Sequence, residues 1–179
     1  DLTQGSLRET GNTYDIAIEG DGFFTMRGTD ANGNDETMYT RNGRFTVTKD
    51  GFIVDCDGNH LQGASGDLQV PVDATEIAIK NSGAVYADGV LIDTIALTDF
   101  EDYNYLELYG ENMYRALNGA TVKQAYAGML QGFTEQSNVN VIDQMVSMIT
   151  ITRAYEAGQK MIQTQDNLIG KAVNEVGKL

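Results

Sequence analysis

Cys56 and His60 are the only thiol and the only imidazole in the chain, so a nucleophile–base pair of that type would have to use both. They stand four residues apart in a strand-and-turn context, where that spacing does not imply contact. Cys56 is therefore expected as a small core residue, not a thiol catalyst. Gly63-Ala64-Ser65-Gly66 lacks the glycine spacing of a nucleophile elbow. Glu19-Gly20-Asp21-Gly22-Phe23-Phe24-Thr25 starts like a dinucleotide fingerprint, but Thr25 stands where the third glycine is needed and a strand follows, not a helix. Two acidic loops, Asp30–Glu36 and Asp55–Asn59, carry oxygen ligands at alternate positions as a calcium loop does. A calcium loop also needs glycine at its sixth position and glutamate at its twelfth. Here those places hold Asp35 and Arg41 in one loop and His60 and Gly66 in the other, so both are expected as hydrated hairpin turns. Glu101 and Asp102 lack the apolar setting that would raise one carboxyl for acid catalysis. Tyr103, Tyr105, Tyr109 and Tyr114 cluster, and such rings can stack on sugar faces, although packing or a subunit contact is the preferred expectation. No catalytic, cofactor-binding or metal-ligating residue is assigned, and the chain is expected not to be an enzyme.

Charge narrows the partners. Twelve basic residues against 26 acidic ones leave a net charge of −14, which repels nucleic acid and anionic membrane alike. No stretch of about 18 apolar residues is present, so no membrane insertion is expected. A single cysteine excludes an internal disulfide. The chain begins Asp1-Leu2-Thr3-Gln4-Gly5, without Met and without a basic or apolar leader, and is expected to be a piece of a longer protein.

Two periods run along the sequence. Twenty glycines against one proline point to many tight turns. From about Tyr14 to Phe100, short apolar runs are separated by Asp21-Gly22, Asn32-Gly33, Asn42-Gly43, Asp50-Gly51, Asp57-Gly58 and Asp88-Gly89. These pairs tolerate positive φ at both centres of a type I′ turn, which suits antiparallel strands. Alternation marks strands at Asp15–Glu19, Arg44–Thr48, Glu76–Lys80 and Ile92–Leu97.

From Asn140 the period becomes helical. Val141, Met145, Met148, Thr152, Tyr155, Gln159, Ile162, Asp166, Ile169, Val173 and Val176 step alternately by four and three, a heptad-type seam with polar interruptions. A second row runs through Ala154, Gly158, Met161, Gln165, Leu168 and Ala172. A third row is polar: Asp143, Ser147, Thr150, Arg153, Glu156, Lys160, Gln163, Asn167, Lys171 and Asn174. Ser137, Asn138 and Asn140 supply candidate N-cap oxygens. Such a helix would be roughly 55 Å long, more than the diameter of a β domain of about 100 residues, so it is expected to project. No second long helical pattern is present to cover its apolar rows, which predicts self-association. The fold class is thus mainly β with a long C-terminal α-helix: a small antiparallel β domain plus a projecting, coiled-coil-like helix. The expected division is 1–13 extended, 14–136 β-rich and 137–179 assembly helix.

Four blocks carry a resemblance. Thr10-Gly11-Asn12, followed by Asp15-Ile16-Ala17-Ile18-Glu19-Gly20-Asp21-Gly22-Phe23-Phe24, resembles a signature of flagellar rod and hook axial proteins. Tyr39-Thr40-Arg41-Asn42-Gly43-Arg44-Phe45 resembles that family's next hairpin. Gln131–Asn140, with Ser137 and Asn138, resembles the lead into its last helix, and Arg153-Ala154-Tyr155-Glu156 matches a block within that helix. The blocks occur in family order and span nearly the whole chain.

The resemblance implies a structural subunit of the bacterial flagellar basal-body rod, of the proximal or distal type, with a β domain of the axial-protein D1 type. It implies export through the flagellar type III apparatus without a cleaved signal peptide. It also implies helical polymerisation with itself and with other rod and hook subunits into a hollow drive shaft that transmits torque. In the family an N-terminal helix pairs with the C-terminal one, and residues 1–11 correspond only to the stretch after it. The seam is then expected to meet that helix and the second row (Met161, Leu168) to meet neighbouring subunits. Ser147, Thr150, Lys160, Gln163, Asn167 and Lys171 are expected to line the export channel. A secreted glycan- or protein-binding β module on an oligomerising helical stalk is the alternative.

Overall fold

The change of period near residue 140 is a boundary in the structure, a computed structural model that describes residues 3–29, 33–139 and 141–176. The side chains of Val141 and of residues 172–176 lie outside the description, and so do the Asp30–Asn32 part of the first acidic loop and Asn140. Asp1–Asn138 form one unit and Val139–Leu179 another.

The first unit is antiparallel throughout. Its opening strands are β1 (Leu7–Glu9), β2 (Ile16–Glu19), β3 (Phe23–Thr29), β4 (Asp35–Thr40), β5 (Thr46–Val47), β6 (Ile53–Val54), β7 (His60–Gly63) and β8 (Gly66–Asp67). There follow β9 (Ile77–Ile79), β10 (Ala84–Ala87), β11 (Val90–Thr94), β12 (Leu97–Phe100), β13 (Leu106–Tyr109) and β14 (Met113–Ala116), and finally β15 (Val122–Gln124), β16 (Gly128–Gln131) and β17 (Phe133–Glu135). The main sheet has the order β13-β14-β4-β3-β7-β6-β5, with β8, β12 and β15 attached. A three-stranded sheet β11-β10-β9 and the pairs β16-β2 and β1-β17 complete the unit. Ile16, Ile18, Phe24, Met26, Ile53, Leu61, Leu68 and Val85 form the centre of the core. β2 is buried at three consecutive positions, so it is covered on both faces and alternation there is lost.

Three expectations are corrected. The run Ile92–Leu97 is not one strand: β11 ends at Thr94, Ile95 makes only an isolated bridge to Gly63, and β12 starts at Leu97 in a different sheet. The Asx-Gly pairs are mostly not type I′ turns. Asp88 is the only non-glycine with positive φ among the described residues, so only Asp88-Gly89 has positive φ at both positions. The Asp50-Gly51 hairpin instead closes with Gly51 N donating to Thr48 O and Thr48 N to Phe52 O. That is a type I turn ended by a left-handed glycine bulge, which also matches strand twist but requires only the glycine to be left-handed. Gly43 has no positive φ; its role is close approach, because Ile16 N donates to Gly43 O at 2.8 Å and an added Cβ would strike the Ile16 carbonyl. Finally, Cys56 is exposed, not a core residue. It rides the β6–β7 turn, where Asp55 takes the amides of Asp57 and Asn59, at 2.9 Å each, leaving the thiol outside. Partial desolvation against the turn, and then the neighbouring Asp57 and Asp55, push that thiol's pKa up, away from the reactive thiolate.

The second unit is one helix, α1 (Val141–Val176), with Asp143 in its first turn where the helix dipole favours a carboxylate. It is not long and apolar enough at any point to cross a membrane.

Candidate functional site: a terminal clasp and an exposed helix

The tyrosine-rich stretch folds as the β13–β14 hairpin and its approach, and its rings are largely used for packing. Tyr103 and Tyr114 pack edge-on against Phe23 at 5.8 and 5.6 Å, and Phe100 joins them at 6.1 Å. Tyr109 lies under the Arg115 guanidinium at 4.5 Å, while Tyr105 remains exposed. Beside this cluster, buried Asp99 accepts from Tyr103 Oη at 2.9 Å and from Phe100 N at 2.7 Å, and pairs with Lys123 at 2.9 Å. Burial alone would raise the Asp99 carboxyl; the three donors together outweigh it and hold the pKa below the usual 3.8. Burial, and then the bond to Asp99, push Tyr103 up to about 12. A depressed carboxylate stabilises the fold fully at neutral pH, and that contribution fades as pH drops below 3.8 through the folded value. Asp99→Asn is expected to lower Tm at pH 7 by roughly 2–4 °C, about 1 kcal/mol. It should also flatten the fall of Tm below pH 4, measured by thermal unfolding against pH. Asp67, depressed mainly by its bond to Arg27, has the same sign and retains part of the acid sensitivity.

The motif residues from the start, middle and end of the β unit converge on one clasp. Arg41, just past β4, donates through Nε to Glu135 Oε2 at 2.9 Å. Its two terminal nitrogens donate to the carbonyls of Gly20 and Gly22 at 3.0–3.1 Å. Glu135 uses its other oxygen to accept from Gly5 N at 2.7 Å. Both side chains of the ion pair are largely buried, at 14% and 11% exposure. The guanidinium fork thus fixes the Gly20-Asp21-Gly22 turn and β17, and Glu135 fixes the incoming chain. Around it β1 pairs with β17, with Leu7 opposite Glu135 and Glu9 opposite Phe133. Gln136 N donates to Ser6 O at 2.9 Å. Asn138 donates its amide to Thr3 O and to its hydroxyl, 2.8 Å each, so that amide group holds the N-terminal stretch. Thr10 and Asn12 both donate to buried Asp15, at 2.6 and 3.1 Å, and the Thr10 and Gly11 amides donate to Gly132 O. Phe23 and Phe24 continue from the same turn into the core. The sequence motif contained Glu135 but offered no sign of its partner, 94 positions away.

On α1, every side chain from Ile142 to Lys171 is exposed. Met145, Met148, Tyr155, Ile162 and Ile169 of the seam and Met161 and Leu168 of the second row are each at least 60% exposed. Val141, Val173 and Val176 belong to the seam by spacing, but their side chains lie outside the described residues. Thr152 interrupts the seam less than its hydroxyl suggests, because Oγ1 donates to Met148 O at 2.9 Å and is satisfied within the helix. Thr150 does the same toward Val146 O. Ser147, Lys160, Gln163, Asn167, Lys171 and Arg153, Tyr155 and Glu156 of the helix block are exposed as well. Ile142, Val146, Ile149 and Ile151 stand outside the three rows, and all four are exposed. With them the first three turns of α1 are apolar on most of their circumference. The charge also divides: after residue 138, Asp143, Glu156, Asp166 and Glu175 are balanced by Arg153, Lys160, Lys171 and Lys178, so the whole net charge of −14 lies on residues 1–138.

Both halves of this arrangement have relatives. Residues 130–175 match the family described as flagellar basal body rod FlgEFG protein C-terminal, and residues 17–87 match that described as flagellar hook protein FlgE/F/G D1 domain. The flagellar basal-body rod protein FlgG of Bacillus subtilis (strain 168) is 33% identical, covering 94% of this chain and 67% of its own length. The chain belongs to the flagellar basal-body rod protein family. Within it, the rod protein FlgF of Caulobacter vibrioides is 33% identical over 99% of this chain and 71% of its own length, and FlgF of Rhizobium meliloti (strain 1021) is 33% identical over 97% and 71%. The Arg41–Glu135 bond joins the two family-matched stretches, Arg41 lying in the D1 match and Glu135 in the C-terminal match. Gly20, Asp21, Gly22, Phe23, Phe24 and Gly43 fall in the first match and Ser137, Asn138, Arg153, Tyr155 and Glu156 in the second, while Gly11 and Asn12 precede both.

Proposed function

We propose that this chain is a structural, non-catalytic subunit of the bacterial flagellar basal-body rod that polymerises through α1. Its partners are further copies of itself and other rod and hook subunits, and it reaches the rod through the flagellar type III export apparatus. The observation that carries this is a 36-residue helix with exposed apolar rows in a chain of the rod family. Charge supports it. The balanced helix can approach its own copies without net repulsion, whereas the acidic β units repel one another and favour an outer layer, where separation and solvent are greatest. In this arrangement the polymer is a hollow shaft that transmits torque, with Ser147, Thr150, Lys160, Gln163, Asn167 and Lys171 toward the channel as a wet, weakly charged lining.

Immuno-gold labelling of basal bodies isolated from cells carrying an epitope-tagged chromosomal copy tests the placement. Label on the rod is expected, and basal bodies devoid of label overturn it. The lining is tested separately. Lys160→Glu with Lys171→Glu is expected to slow export of hook and filament subunits while rods still form. Loss of rods with no export phenotype in partly assembled structures counts against the channel assignment.

A further inference from the structure

Three Asn-Gly pairs occur in the chain, at 32–33, 42–43 and 118–119, and the structure treats the last two in opposite ways. Asn42 is half-buried, its Oδ1 accepts from Arg44 N at 3.2 Å, and its backbone N–H donates to Thr40 Oγ1 at 3.0 Å. Gly43 behind it is buried, and its carbonyl is bonded to Ile16 N at 2.8 Å. Asn118 is exposed in the turn between β14 and β15, closed by Ala120 N donating to Leu117 O at 3.0 Å. Its side-chain amide makes no hydrogen bond to any described residue, and Gly119 is exposed as well, with the Tyr105 ring 3.3 Å from where a Cβ on Gly119 would stand.

We propose that Asn118-Gly119 is a site of spontaneous deamidation in the folded protein and that Asn42-Gly43 is protected from it. The Gly119 amide nitrogen, deprotonated by solvent base, attacks Asn118 Cγ. The new N–C bond closes a five-membered succinimide as the Cγ–N bond breaks and ammonia leaves. Water then opens the ring at one carbonyl or the other, giving aspartate or isoaspartate. Glycine favours attack because no side chain shields its nitrogen, and a freely rotating Asn118 amide can reach it. At Asn42 the same attack requires the Oδ1 bond to Arg44 N to open and the buried glycine, held through its carbonyl by Ile16 N, to move. Either product places a further carboxylate on the unit that already carries the net charge. Isoaspartate also adds a methylene to the backbone of a turn whose Leu117 N is bonded to Tyr105 O at 2.8 Å.

Incubation of the purified chain at mildly alkaline pH, followed by peptide mapping with isoaspartate-sensitive mass spectrometry, tests this. Modification at Asn118 is expected to exceed that at Asn42 at least tenfold, the ratio set by a local opening free energy of about 1.4 kcal/mol. In denaturing urea the two rates should converge, and Asn118→Gln should remove the native-state product. Equal native rates, or a ratio that persists unchanged in urea, overturn the proposal.

Discussion

Replacing Arg41 with Ala is expected to destabilise the β unit by about 3 kcal/mol and to lower its Tm by roughly 10 °C. The size follows from what is left behind. Glu135 keeps one bond to Gly5 N but loses its cation in a largely buried position, and the Gly20 and Gly22 carbonyls lose their donors. Arg41→Lys keeps the charge but not the fork that reaches both Glu135 and the glycine turn, so an intermediate loss is expected. Glu135→Gln keeps the shape and an acceptor and should lose less than Arg41→Ala. Near-UV circular dichroism in urea reads these differences through the half-buried, packed tyrosines such as Tyr103 and Tyr114, there being no Trp in the chain. A double-mutant cycle with Glu135→Ala isolates the pair, and a coupling of about 1.5–3 kcal/mol is expected. Strictly additive losses would show that the two side chains act independently and that the clasp is no unit. Limited proteolysis gives a second readout: cleavage within residues 3–9 should accelerate in the Arg41 variant, since β1 is held by β17 and Glu135 holds Gly5.

That clasp marks the limit of what the sequence discloses. The blocks around Gly11, Gly20, Arg41 and Ser137 are legible as separate motifs because each has its own residue pattern. Their meeting at one point depends on β1 pairing with β17 and on β2 pairing with β16, contacts between distant parts of the chain that no local pattern encodes. The helix is different. Its period is a local property repeated over ten turns, and Val141–Val176 follows from it almost to the residue. The strand errors have physical sources as well. Ile92–Leu97 alternates continuously although the chain changes sheets at Ile95, because both sheets require the same alternation. Residue type alone points Cys56 to the core, and the Asp55 side chain, by capping the turn's amides, fixes it outside instead. Ile142, Val146 and Ile149 fall outside a single heptad seam because the apolar arc of the first turns is wider than one seam, while Asp143, Ser147 and Thr150 keep the opposite face polar.

That apolar end gives the largest expected effect on assembly. Purified chain is expected to self-associate with rising concentration, and its helicity at 222 nm should rise in parallel. A helix without packed faces is only marginally stable in water, so association and helix formation are coupled. Met148→Asp or Ile162→Asp should each weaken association at least about a hundredfold, or roughly 2.7 kcal/mol. Each loses about 2 kcal/mol of apolar burial and places an unpaired carboxylate in the contact. Gln163→Asp, on the polar row about 100° around the helix from Ile162, changes charge by the same amount and should shift association only a few-fold. Sedimentation equilibrium at fixed ionic strength separates these cases. Raising salt should strengthen association of all forms alike, because it screens the β units whose repulsion is common to all of them. If Gln163→Asp proved as damaging as Ile162→Asp, the division of α1 into contact rows and a solvent row would be lost. A chain that stayed monomeric with full helicity would show that α1 does not need its own copies to cover Met148 and Ile162.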